Sequence, residues 1–304
     1  MMNKNNIGIF VLTFVLLLAN NTFAQSNLLN AKVPSDIGKK TAEQQVVDYE
    51  KPLEYGYIDD RDIVWSKVVW EYIDLNERIN LPLYYPVDTV NVAMDRRSLY
   101  DTLLRGIKSG EITEVYDDSY FTAKMTRNEI FKKLQKIDTT DAGFDALNEG
   151  STNIEEYIDR INLTSQDIQG FKVKGLWYFD KRQGELKYRI LALAPVAPDV
   201  QTMGSDDFEG EESEKLAMFW VWFPDAREVL HKMKAFNQKN SSTPISFDHI
   251  LNARRFSSLI YRVENLYGNR DVSQYVKGNA LFQVLESNKI KDEIRNKEID
   301  MWNY

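Results

Sequence analysis

The sequence predicts an α+β protein: two lobes, mixed or antiparallel sheets with packed helices, and an extended N-terminal arm. Three observations lead there. Short runs dense in β-branched and aromatic residues recur at Ile63–Leu75, Gly175–Phe179, Glu185–Pro195 and Leu216–Pro224. Helical spacing with capping residues appears between them and after them. A polar, acidic stretch at 138–169 separates one group of elements from the other. The boundaries read as 1–24 leader, 25–58 arm, 59–140 first lobe, 141–169 polar linker and 170–304 second lobe.

The N-terminus carries the pattern of an export signal. Lys4 gives it a positive start, and Ile7 to Leu18 is an apolar run too short to span a bilayer comfortably. Thr22-Phe23-Ala24 then sets small residues at the two recognition positions, so cleavage is expected after Ala24. Losing Lys4 takes the net charge from -8 to -9. The competing reading is a retained membrane anchor. No Cys follows the apolar run, so no direct lipid anchor is expected.

Residues 25–58 are polar, with two prolines. They read as an arm that orders on a partner, with Leu28, Leu29 and Val33 as its apolar anchors; a disordered linker is the alternative. Ile63–Leu75 fits a strand by alternation, yet Trp65, Val68, Val69 and Tyr72 also fit helical spacing. Pro82 and Pro86 end either element. Ser98 caps a helix with Leu99, Leu103, Leu104 and Ile107 on one face, closed by Gly110. Ile112–Tyr116 is short and β-rich. Thr126 with Glu129 forms a capping box for the next helix.

The second lobe opens with a hairpin, Gly175–Phe179 and Glu185–Pro195, around a Gly184-containing loop. Leu216–Pro224 reads as a strand apolar on both faces. Pro224 starts a helix through Phe236, 256–264 resembles another strand, and a long helix covers about 279–300. Residues 256–265 loosely echo 65–74, through duplication or chance. The terminal Met301, Trp302 and Tyr304 need burial against the domain or a neighbour, which makes them interface candidates.

Composition narrows the chemistry. An acidic chain lacks the basic face that a nucleic acid requires. With no Cys and only His231 and His249, thiol chemistry and His-rich metal centres are excluded. No G-x-S-x-G or P-loop is present, so no catalytic, cofactor or metal residue is assigned. Three readings of the function stay open, and a cation site beside them. Carboxylates such as Asp59-Asp60, Asp117-Asp118 and Asp206-Asp207 are the available acid–base groups for a glycan hydrolase, although neighbours in a strand point opposite ways. Trp220 and Trp222 share a strand face, as in a sugar-binding platform. The acidic stretch 199–214 offers oxygens for Ca²⁺ without EF-hand spacing. The third reading is a protein that works by assembly, through its aromatic surface.

Several blocks carry a family resemblance. These are Trp65-Ser-Lys-Val-Val-Trp70, Ile73-Asp-Leu-Asn-Glu-Arg-Ile-Asn-Leu-Pro-Leu-Tyr-Tyr-Pro86, Met218-Phe-Trp-Val-Trp-Phe-Pro224 and Glu298-Ile-Asp-Met-Trp302. Together they resemble the gliding-motility family GldN, also called PorN. The resemblance implies a non-enzymatic periplasmic component of the type IX secretion system of Bacteroidetes. It implies self-association in a ring with an outer-membrane lipoprotein (GldK or PorK). It also implies contact with the periplasmic part of the GldL/GldM motor. The family brings no catalytic motif and no cofactor.

Overall fold

The computed structural model describes Val33 and residues 51–88, 96–139, 148, 157–201, 215–237 and 245–302. The chain forms two compact units, residues 1–51 with 93–95, and residues 52–92 with 96–304. In the first unit Val33 and Lys51 are described, and both are exposed. The second unit holds the described sheets and helices.

Strand β1 (Ile63–Asp74) organises that unit. It pairs antiparallel with β5 (Gly170–Asp180) on one side and β11 (Leu259–Val263) on the other. β5 continues into β6 (Glu185–Pro198) through the expected hairpin. β2 (Val115–Tyr116), β7 (Lys215–Ala217) and β8 (Trp220–Trp222) complete the sheet, in the order β11-β1-β5-β6-β8-β2 with β7 beside β6. Both faces of β1 are covered. Val69, Glu71 and Ile73 point to one side and Val68 and Trp70 to the other. A central strand of this kind reads as a near-continuous apolar run, which is why periodicity alone left strand and helix open.

Among the described residues seven helices accompany the sheet: α1 (Leu81–Tyr84), α2 (Leu99–Ser109), α3 (Arg127–Lys133), α4 (Phe223–Lys232), α5 (Phe247–Asn252), α6 (Val272–Tyr275) and α7 (Ala280–Trp302). The main core gathers α2, α4 and α5 against one sheet face through Leu103, Ile107, Phe171, Leu193, Phe223 and Phe247. Farther along that face, Ile290 and Ile294 of α7 pack on Val69, Ile260 and Val263. The other face carries a smaller cluster around Trp70 and Trp220.

Local signals act as read. Ser98 Oγ accepts from the Asp101 N–H at 3.1 Å, and Gly110 ends α2 with φ 83 in the left-handed region that glycine tolerates. Thr126 and Glu129 form the capping box of α3, and Pro224 lies in the first turn of α4.

Tertiary contacts change four expectations. The run 216–224 divides into β7 and β8 around the buried Met218 and Phe219, because both pieces pair with β6. Helix α4 stops at Lys232, where the chain turns extended so that β9 (Lys234–Ala235) can pair with β10 (Ile245–Ser246). The strand expected at 256–264 shortens to Leu259–Val263. Its first residues are diverted, the Ser257 N–H to Asn80 Oδ1 at 2.9 Å and the Ser258 hydroxyl to the Glu71 carboxylate.

The fourth change concerns the lobes. The stretches 59–140 and 170–304 share one sheet, since β1 lies between β11 and β5 and β2 pairs with β8. They also share one core. The described end of the polar linker belongs to the body: β4 (Ile158–Asn162) pairs with β3 (Gln135–Thr139), and Leu163 and Ile168 are buried. The echoing segments 65–74 and 256–265 turn out to be paired neighbours, with Val69 opposite Val263.

Candidate interaction surfaces

Three constellations of charged and aromatic side chains stand out. The first fixes the root of the arm. Tyr55 lies between two guanidinium groups, with Arg227 4.1 Å and Arg189 4.5 Å from its ring centroid. Its hydroxyl donates to Asn252 Oδ1 at 2.8 Å. Arg227 is itself aimed by Asp248 in the first turn of α5, through bonds of 2.8 and 3.2 Å, and donates to the Leu53 carbonyl at 2.7 Å. Burial pushes the Tyr55 phenol up, against the pull of Arg227. A cation held against a desolvated ring contributes more than one in open water. Residues 53–56 are thereby attached to the body, while Leu53 (77%) and Tyr57 (83%) turn their side chains outward.

The second closes the outer sheet face. The Lys174 ammonium sits 5.2, 5.1 and 5.0 Å from the rings of Trp70, Tyr120 and Phe121, and donates to the Ser119 carbonyl at 2.8 Å. Burial lowers its pKa. The loop that supplies these rings is held by Asp118, which accepts from the N–H groups of Tyr120 at 2.7 Å and Thr122 at 3.2 Å. Phe121 stacks edge-on against Trp222 at 5.0 Å. Trp220 is 5% exposed within this cluster. Trp220 is thus buried in the sheet packing, while Trp222 is half-buried with Phe121 against its ring.

The third lies beneath α7. Glu71 is wholly buried and receives two bonds of 2.9 Å from Arg254, together with one from the Ser258 hydroxyl. Burial raises the Glu71 pKa, but Arg254 and the hydrogen bonds outweigh it and leave the carboxyl below its ordinary value. Arg254 adopts φ 49 and stacks 4.0 Å above the Tyr188 ring. Gly175 makes room for Tyr188, since a Cβ there would run into the phenol. The Tyr188 hydroxyl is buried in the field of Glu71 and Arg254 without a well-formed hydrogen bond, and burial raises its pKa strongly. Lys291 of α7 donates to the Ser258 carbonyl. A cleft of about 370 Å³ opens here, lined by Trp177, Leu186, Arg254, Ile260, Lys291 and Ile294 among others. Glu71 stays a paired carboxylate behind Arg254, so it offers no proton to a bound glycan.

The acidic pairs among the described residues have structural partners. Asp59 caps the short 3-10 turn Asp60–Asp62 through Arg61, and Asp117 pairs with Lys133 at 2.6 Å. Asp206, Asp207 and the rest of 202–214 lie outside the described residues, as does the Ca²⁺ reading that rests on them. His231 lies in the last turn of α4, and the His249 N–H donates to Ser246 Oγ at 3.2 Å.

Of the interface candidates, Leu28, Leu29 and Tyr304 also fall outside the described residues. Val33 is exposed, Met301 is half-buried and Trp302 closes α7. The sequence reading missed a larger apolar surface at the other end of that helix, where Leu281, Phe282, Val284 and Leu285 are all exposed. Their signal was the run Ala280–Leu285, which is apolar on too many sides for one buried face.

The family model described as gliding motility associated protein GldN matches residues 58–303. The chain belongs to the GldN family. This membership makes the protein a gliding-motility and type IX secretion component. The match begins where the arm ends and takes in the second and third constellations whole; of the first it holds Arg189, Arg227, Asp248 and Asn252, while Tyr55 and Leu53 lie just before it. No curated protein matches the chain.

Proposed function

We propose that this GldN protein is a non-enzymatic structural subunit of a periplasmic ring in the type IX secretion and gliding machinery. It associates with an outer-membrane lipoprotein of the GldK/PorK type and contacts the periplasmic part of a GldL/GldM-type motor. The arm root carries this reading. Tyr55 is clamped by Arg189 and Arg227, and Leu53 and Tyr57 beside it are exposed. A segment fixed at its base presents apolar anchors at low ordering cost, which suits a subunit that works by assembly. With no Cys to carry a lipid, the protein sits at the outer membrane through its lipidated partner.

The test is capture of the mature protein by the purified lipoprotein. Deleting residues 25–51 leaves the clamp intact and weakens capture at least about tenfold if the arm supplies about 1.4 kcal/mol or more. Tyr55→Ala, in the full mature chain, weakens it as well. Unchanged capture by both variants, or turnover of a glycan by the wild type, removes the proposal.

A further inference from the structure

The C-terminal helix has two unlike sides. Ser287, Ile290 and Ile294 are buried against the body. On the outward side Leu281, Leu285, Asn288, Asp292, Arg295 and Ile299 recur at steps of four, three, four, three and four residues, with Asp292 and Arg295 also edging the cleft beneath the helix. At about 100° per residue this spacing keeps them on one narrow stripe. All six are exposed, with Leu281 at 65%, Leu285 at 51% and Ile299 at 56%. Such a stripe is the seam by which one helix packs on another.

The composition of the stripe selects the occupant and its direction. The positions are complementary to themselves when the sequence is reversed about residue 290. Leu281 then faces Ile299, Leu285 faces the aliphatic stem of Arg295, and Asn288 faces Asp292, an amide donor against a carboxylate acceptor. A parallel pair would instead set Asp292 on Asp292 and Arg295 on Arg295, which like-charge repulsion disfavours. Within one chain Arg295 lies 2.9 Å from Asp292, and in the antiparallel pair each of these ion pairs meets an Asn288 amide of the other copy instead of a like charge. The apolar ends and the charge order together fit a second copy of the same helix running the opposite way.

We propose that two copies of this chain pair antiparallel through the outward stripe of α7. The contact is two-fold and isologous, so it closes a dimer; a ring assembled from such dimers needs a second, different contact. The inference deepens the proposed self-association of this protein and stands apart from its binding to a lipoprotein.

The chain has no native thiol, so introduced cysteines are the only ones present. In an antiparallel pair residue 281 of one copy approaches residue 299 of the other. The two copies of residue 281 are separated along the axis by about 27 Å. Leu281→Cys and Ile299→Cys mature proteins are mixed, oxidised mildly and run without reductant. The expected result is a covalent dimer in the mixture and essentially none in either sample alone. Sedimentation then follows Leu285→Glu, expected to raise the dimer dissociation constant at least about tenfold with unchanged circular dichroism, because Leu285 is exposed in the single chain. Equal coupling in the unmixed samples, or a wild type that stays monomeric at all concentrations, overturns the proposal. Lipoprotein capture by Leu285→Glu is measured in parallel, so failure of the dimer and failure of the partner reading are told apart.

Discussion

Glu71 and Arg254, 183 positions apart, meet as a two-pronged ion pair with both N–H···O distances at 2.9 Å, and no part of the carboxylate reaches solvent. The pair joins a central strand to the chain leaving α5, next to the helix that closes the fold. Removing one partner strands a buried charge. Arg254→Met is expected to cost about 3–5 kcal/mol in urea unfolding of the mature protein. The double variant Glu71→Met with Arg254→Met is expected to cost less than the single one, because no charge is then left alone. A double variant at least as damaged as Arg254→Met would show that packing, and not the unpaired carboxylate, sets the loss.

The same pair gives stability an acid limb. The folded carboxyl of Glu71 lies below its ordinary value, so its contribution is complete above the unfolded pKa and is lost as the pH falls through the folded one. The stability difference between wild type and Glu71→Gln should therefore be largest near neutrality and shrink below about pH 4. A difference that stays constant from pH 7 to pH 3 would contradict the linkage.

Alkaline behaviour has the opposite sign. Burial pushes the Tyr72 phenol up to about 12, and raises Tyr100, Tyr188 and Tyr261 further. These phenols stabilise the fold fully below the unfolded value near 10, and that contribution disappears as the pH rises through the folded values. In a titration followed at 295 nm, part of the tyrosine absorbance should appear only with unfolding, and guanidinium should release it at about pH 10. A single smooth transition, identical with and without denaturant, would refute this.

Lys174 offers a mutational test of the outer sheet face. Lys174→Met keeps the aliphatic length but removes the ammonium from Trp70, Tyr120 and Phe121, and its bond to the Ser119 carbonyl. A loss of about 1–2 kcal/mol is expected, with faster amide exchange at Tyr120 to Thr122 and little change in α2 or α4. Uniform acceleration across the body would mean that the cage is not a local fastening.

Sequence alone determined the elements whose causes are local. The Ser98 cap, the left-handed Gly110, the Thr126–Glu129 capping box, the Pro224 helix start and the hairpin around Gly184 each depend on residues a few positions apart. The family blocks were legible for a related reason: Trp65–Trp70 and Met218–Pro224 are aromatic stretches that need no partner to be recognised. Only tertiary structure decided that β1 is a strand, that it joins the supposed lobes in one sheet, and that the 216–224 run breaks in two. Pairing across roughly a hundred residues leaves no periodic trace in either segment. The charged anchors were invisible for the same reason. Glu71, Lys174 and Arg227 look like ordinary surface residues until the fold sets Arg254, Trp70 and Tyr55 beside them, where exclusion of water turns weak attractions into specific fastenings.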